Sequence, residues 1–304
     1  MRNPEGQGPH QHAGARDLNA PSRRPSLWES WLGQRRRWLP TVVFIPALYG
    51  LGWLLIQPVG ALIPGVPRGN LDLLGTLISL LLFLGLLPSW VRSRWRVPQP
   101  WHSLGLRRDA GQTAEAKALM RGLGWALLLL LLIAGISLAG PWSRWTGVLD
   151  PASLWNALLL CFGVGLAEEL LFRGWLWGEL ELLIGRRWAL PGQALIFSLV
   201  HTRFNLGLWP MLGLLLGLFL LGLTLASRRR LDGGSLWGCI GLHGGLVGGW
   251  FALQAGLMAW SPASPTWLTG PGGNPLGGLV GIVAIAALLG VQRQLTARAK
   301  AARP

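Results

Sequence analysis

The chain has 304 residues, of which 51% are hydrophobic and only 13% charged, with a formal net charge of +15. Soluble domains carry about 25% charged residues. A water-soluble globule is therefore excluded, and apolar runs of membrane-crossing length alternating with short arginine-bearing connections read as bilayer-spanning helices.

Residues 1–34 are rich in Arg, Pro, Gly and polar side chains and lack the apolar stretch of a signal peptide, so they are expected to form a disordered basic cytoplasmic tail. Residues 35–150 hold three predicted spans, 38–62, 71–91 and 121–141. Residues 151–257 hold four, 153–180, 189–205, 209–226 and 236–257, and residues 258–304 hold the last, 276–292, followed by a basic tail. The expected fold is all-α: a polytopic membrane helix bundle of about eight transmembrane helices, with a functional core in helices four to seven. Many of the 19 tryptophans, among them Trp38, Trp90, Trp142, Trp188, Trp209 and Trp237, lie near span ends, as interfacial belts require.

Arginine placement sets an orientation. Arg92, Arg94, Arg96, Arg107 and Arg108 follow span two, Arg186 and Arg187 follow span four, Arg228, Arg229 and Arg230 follow span six, and Arg293, Arg298 and Lys300 follow span eight. The odd-numbered exits hold only Arg68, Arg144 and Arg203. Eight spans with both termini in the cytoplasm satisfy the positive-inside rule, and the plasma membrane is the expected location. The positive charge so placed serves topology and headgroup contact with the lipid bilayer, not nucleic-acid binding. Cys161 and Cys239, the two cysteines, form neither a zinc-type pair nor a disulfide framework.

Span four carries Glu168, Glu169 and Arg173. Each mid-membrane charge costs about 2.5–3.5 kcal/mol on insertion scales, so three together require compensation or a function. At about 100° per residue, Glu169 and Arg173 share a helix face and can pair, while Glu168 points about 140° away from Arg173. Glu168 is thereby the carboxylate left for chemistry. Two histidines also fall within predicted spans, His201 in span five and His243 in span seven. Gly238, Gly241, Gly245 and Gly248 form a stripe roughly opposite His243, allowing one face of that helix close backbone contact while the histidine faces a cavity. Together these side chains form a hydrolytic kit: a carboxylate to activate water and imidazoles to orient it or to stabilise an oxyanion. The same set, Glu168, His201 and His243, could ligate zinc.

At these residues the chain resembles the CAAX-protease and bacteriocin-processing (CPBP, or Abi) family of intramembrane proteases. The family's EExxxR motif is Glu168-Glu169-Leu170-Leu171-Phe172-Arg173, followed by Gly174; FxxxH is Phe197 to His201; a third motif begins at His243 after Gly234-Ser235-Leu236-Trp237. The resemblance covers about residues 150–255. It implies an endopeptidase acting on a membrane-associated or prenylated substrate. Glu168 would activate the water, Glu169 and Arg173 would brace the site, and His201 and His243 would serve the water and the tetrahedral intermediate. It also implies either glutamate-dependent or metal-dependent catalysis. The first is favoured here, since there is no HExxH and Glu168 and Glu169 diverge on their helix. One position departs from the pattern: Val247 stands four residues after His243, where the family has Asn or Asp. Asn205, four after His201, is the expected substitute amide, with Phe197 supporting the site. A catalytically silent scaffold or immunity-type protein, and a proton-coupled transporter, are the competing classes.

Overall fold

The computed structural model describes residues 37–63, 65–107 and 111–301. The expected 1–34 tail lies outside the described residues, as do Arg35, Arg36 and Arg108. The protein is an all-α polytopic membrane bundle. Its principal helices are α1 (Trp38–Leu62), α2 (Arg68–Trp95), α3 (Gln112–Ala139), α4 (Pro151–Ile184), α5 (Arg186–Leu199), α6 (Leu208–Leu231), α7 (Trp237–Ala252) and α8 (Leu279–Ala301). Among the described residues, six helices, α1 to α4, α6 and α8, are long and apolar enough to cross a membrane.

The remaining two differ from expectation. Helix α5 has 14 residues, short of the roughly 20 that a full span needs, and α7 has 16 before it runs on through the π-helical turn Leu253–Leu257, which is kinked at Gly256. The predicted span 189–205 overruns α5 because apolar residues continue past the helix, through Phe204, Leu206 and Leu208, although the backbone leaves helical geometry after Val200. Both short helices are held inside the bundle by their neighbours.

Helix α4 starts at a well-made cap. Asp150 accepts from the backbone N–H of Ala152 and Ser153, with Pro151 at the first helical position. The Asp150 carboxyl sits below the ordinary carboxylate range because hydrogen bonds from Ser153, and then Ala152, favour its ionised form.

Lipid contact explains the outer surface. Leu54, Leu55, Leu81, Leu127, Leu128 and Leu131 are exposed, an arrangement tolerable only where the solvent is hydrocarbon. The only strands among the described residues are three-residue β1 (Ser143–Trp145) and β2 (Met258–Trp260), paired antiparallel. They tie the α3–α4 connection to the segment after α7.

Glycine is what lets α7 reach the middle of the bundle. A Cβ on Gly165 of α4 would lie 3.0 Å from both the Gly244 Cα and the Ile240 carbonyl oxygen, so the two backbones touch there. On the other side of that contact, a Cβ on Gly244 would collide with the Cys161 carbonyl oxygen. Gly241 and Gly245 face α3 instead, against Leu119, Leu123 and Ala126. The glycine face therefore serves two neighbours at once. Gly244→Val should force α7 away from α4 and destabilise the fold by about 1–3 kcal/mol, the usual cost of overpacking. Thermal unfolding in detergent would show this, and an unchanged midpoint would contradict it.

A second polar assembly, which the sequence reading did not single out, joins α1 and α2 to α4. Fully buried Glu179 accepts from Thr41 Oγ1 (2.5 Å), Arg94 Nε (2.5 Å), Trp90 Nε1 (2.9 Å) and Trp95 Nε1 (2.7 Å). Four donors for one carboxylate leave little reason for it to bind anything else, so its role is structural.

Candidate active site

Helix α4 changes its winding around the two acids. Residues Leu160–Val164 and Leu170–Leu176 are π-helical, and the five α-helical residues Gly165–Glu169 lie between them. Such widened turns recur at functional sites because they re-aim side chains within an otherwise regular helix. Here they bracket Glu168 and Glu169.

Glu169 is fully buried and its Oε1 is shared, accepting from Arg173 Nη1 at 2.8 Å and lying 2.7 Å from His243 Nδ1. The sequence-predicted pairing of Glu169 with Arg173 is present. The bond to His243 had no signature in helix periodicity, because it crosses from α4 to α7. Facing a carboxylate, His243 Nδ1 must carry a hydrogen, which turns Nε2 toward Glu168. Arg173 is also fully buried, and its guanidinium lies 4.1 Å from the centroid of the Phe197 ring.

His201 is placed differently from expectation. It follows α5 in a turn, not inside a span. Its Nδ1 donates to the Phe197 carbonyl at 2.7 Å, so its Nε2 likewise faces away from its own backbone. The two Nε2 atoms approach one oxygen: Glu168 Oε2 is 3.7 Å from His201 and 3.8 Å from His243. Both separations are too long for direct hydrogen bonds and suit an intervening small molecule. Glu168 Oε2 is buried and accepts no hydrogen bond among the described residues. A buried carboxylate oxygen without a donor is costly, and it marks where a ligand with a proton to give would bind.

These groups border a cavity of about 350 Å³ with mainly apolar walls. Glu168, Phe197, His201 and His243 line it, together with Leu129, Leu130 and Ile133 of α3 and Ala284 and Ile285 of α8. Phe197 packs edge-on to His243, with centroids 5.6 Å apart. Val247, at the position where the third motif expects an amide, lines the same cavity.

Asn205 is not among the cavity residues. It lies exposed on a short 3-10 turn, because the four-residue spacing that should have stacked it on His201 requires a helix that has already ended. The amides that do line the cavity are Gln254, in the π-helical turn Leu253–Leu257 that continues α7, and Asn274, in the connection to α8. Asn205→Ala should therefore leave turnover of a cleavable peptide unchanged; a loss of kcat would return Asn205 to the site.

Residues 150–248 match the model of the type II CAAX prenyl endopeptidase Rce1-like family. That segment is similar to the Rce1-like family. The Glu168–Arg173, Phe197–His201 and His243 motifs all fall inside it, so the likeness to CAAX-type proteases covers the whole candidate site of this integral membrane protein. Residues 19–99 separately match a domain of unknown function, DUF8676. No curated protein matches the chain. The matched segment does not enclose the cavity alone, since α3, α8, Gln254 and Asn274 supply walls from outside residues 150–248.

Proposed function

We propose that the chain is an intramembrane endopeptidase that uses Glu168 to activate water against a peptide bond of a membrane-associated or lipid-modified substrate. The observation that supports it is the approach of two imidazoles to one unbonded carboxylate oxygen inside an apolar cavity.

In this reading a water bound at Glu168 Oε2 gives one proton to the carboxylate, and its oxygen attacks the scissile carbonyl carbon. His201, its Nδ1 held by a backbone carbonyl, presents the Nε2 lone pair to the water's second hydrogen and fixes its direction. His243, its Nδ1 held by a carboxylate, is suited to act as an imidazolium whose Nε2–H donates to the tetrahedral oxyanion, much as a triad carboxylate supports its histidine. Two acids, Arg173 and one imidazolium then sum to zero charge. Glu168 returns its proton to the departing amine as the C–N bond breaks. Glu169 and Arg173 brace His243 and do not touch the reacting atoms. Apolar walls exclude bulk water and strengthen these electrostatic effects.

The zinc reading uses the same groups: Glu168, His201 and His243 would hold the ion, which would polarise the water. The glutamate reading is favoured because the chain has no HExxH and Glu168 and Glu169 diverge on their helix, and no step here runs through a metal. The site lies in the plasma membrane with both termini cytoplasmic in this proposal, as the arginine distribution favours.

The test uses the purified full chain in detergent micelles, where both faces are accessible, with a farnesylated peptide that continues three residues past its modified cysteine. Release of the C-terminal tripeptide, undiminished by a chelator and with metal well below one equivalent, is the expected result. Tripeptide release that requires bound zinc would overturn the glutamate mechanism. No release from this or any other membrane-anchored peptide would leave a non-catalytic scaffold.

A further inference from the structure

We propose that the bundle holds a second site, a phosphate-binding cavity at its arginine-rich end, which takes the phosphomonoester of an anionic lipid or of a soluble compound. It uses none of the groups around Glu168 and stands whether or not that site is hydrolytic.

Helices α2, α4 and α6 are among the six long enough to cross a membrane, so the end at which all three finish lies where headgroups begin. Between their ends is a cavity of about 820 Å³ that shares no lining residue with the one at Glu168. Trp95 closes α2, Trp177 and Glu181 come from the last two turns of α4, Arg186 opens α5, and Arg229 and Arg230 belong to the last turn of α6. Three guanidiniums stand against one carboxylate, so the lining side chains carry a surplus of two positive charges.

The carboxylate offsets little of this. Glu181 Oε2 is 4.0 Å from Arg186 Nε, too long for a hydrogen bond, and the Arg186 side chain is 91% exposed. Arg230, also exposed, lies 5.5 Å from the centroid of the Trp177 ring and has no carboxylate within ion-pair distance among the described residues. Arg229 is the fixed member: its guanidinium donates to the backbone carbonyls of Ser103, Leu104, Arg173 and Gly234 and lies 5.2 Å from the centroid of the same ring. Trp177 itself is buried, and its Nε1–H has no acceptor among the described residues. A buried donor left without an acceptor is costly, and a phosphate oxygen entering this cavity would supply one.

Guanidinium forks bind phosphate oxygens in pairs, and basic pockets between transmembrane helices take anionic headgroups. A phosphomonoester carries a charge of about −1.5 to −2 near neutral pH, which matches the surplus, whereas a phosphodiester leaves part of it unmatched. Val97 and Leu182 give the glycerol end of a lipid an apolar wall.

The test uses the purified full chain in a non-ionic detergent, with lipid binding read by native mass spectrometry and stability by thermal unfolding. Phosphatidate should bind more tightly than phosphatidylglycerol, and phosphatidylcholine least. Arg186→Gln combined with Arg230→Gln should weaken phosphatidate binding about tenfold or more, the scale of lost charge-assisted hydrogen bonds. Arg187→Gln combined with Arg298→Gln removes the same charge at exposed positions outside the cavity and should leave that binding close to the parent's. Arg229 stays in place because its carbonyl bonds hold the fold, and an unchanged unfolding temperature of the Arg186, Arg230 variant without lipid separates lost binding from lost folding. A rise in the parent's unfolding temperature with phosphatidate but not with inorganic phosphate assigns the site to a lipid; an equal rise with inorganic phosphate, lost in that variant, assigns it to a soluble compound. A rise with neither, or no preference for phosphatidate over phosphatidylcholine, overturns the proposal. Equal weakening by the two variant pairs would reduce the cavity to part of a diffuse positive surface, and phosphatidylglycerol bound as tightly as phosphatidate would overturn the phosphomonoester assignment.

Discussion

Glu168→Gln should lower kcat in micelles by roughly 10²–10⁴-fold, the span that a positioned general base contributes, while KM and the unfolding temperature stay close to those of the parent. An amide has the shape of the carboxylate but cannot accept the water's proton. Stability should hardly change, because Glu168 Oε2 takes no hydrogen bond among the described residues and its nearest polar neighbours are 3.7 and 3.8 Å away. Removing the negative charge from an apolar cavity also relieves a desolvation cost, which can offset the lost attraction to the imidazoles. The expected loss equals about 3–5 kcal/mol of transition-state stabilisation at 1.36 kcal/mol per tenfold, all of it in the chemical step. Turnover equal to the parent would remove Glu168 from catalysis. A melting point that collapsed with activity would make it a structural acid.

The six helices of membrane-crossing length were legible in the sequence because apolar length is what a bilayer demands. The pairing of Glu169 with Arg173 was legible from i, i+4 spacing, and the helical wheel turned Glu168 away from Arg173 without showing which side chains of other helices it would meet. Other features had no local signal. The π-helical turns at Leu160–Val164 and Leu170–Leu176 arise from how α4 packs, and a fixed 3.6-residue period cannot register them. Helix α5 ends at Leu199 although hydrophobic residues continue beyond it, so the sequence placed His201 in a span and misplaced Asn205. The bond from His243 to Glu169, the Glu179 assembly and the cavity amides Gln254 and Asn274 join segments far apart in the chain, and composition says nothing about such meetings.

Arg173→Leu should produce the opposite profile to Glu168→Gln, with stability failing first. Arg173 and Glu169 are both fully buried, 2.8 Å apart. Removing the guanidinium leaves Glu169 with His243 as its remaining hydrogen-bonding partner among the described residues, and breaking a buried pair in this way costs about 3–5 kcal/mol. The guanidinium also covers the Phe197 ring, so the site's floor loosens along with the charge balance. Adding Glu169→Leu should recover a measurable part of that stability, since an apolar pair tolerates burial better than a lone carboxylate. Activity should not return with it, because His243 Nδ1 would then have lost the acceptor that sets its tautomer and aim. A double variant that recovers both stability and turnover would deny Glu169 its positioning role. Recovery of stability alone would divide the labour between adjacent acids: Glu168 Oε2 has no hydrogen-bond donor among the described residues and faces both imidazoles, whereas Glu169, whose Oε1 meets both Arg173 and His243, holds its neighbours still.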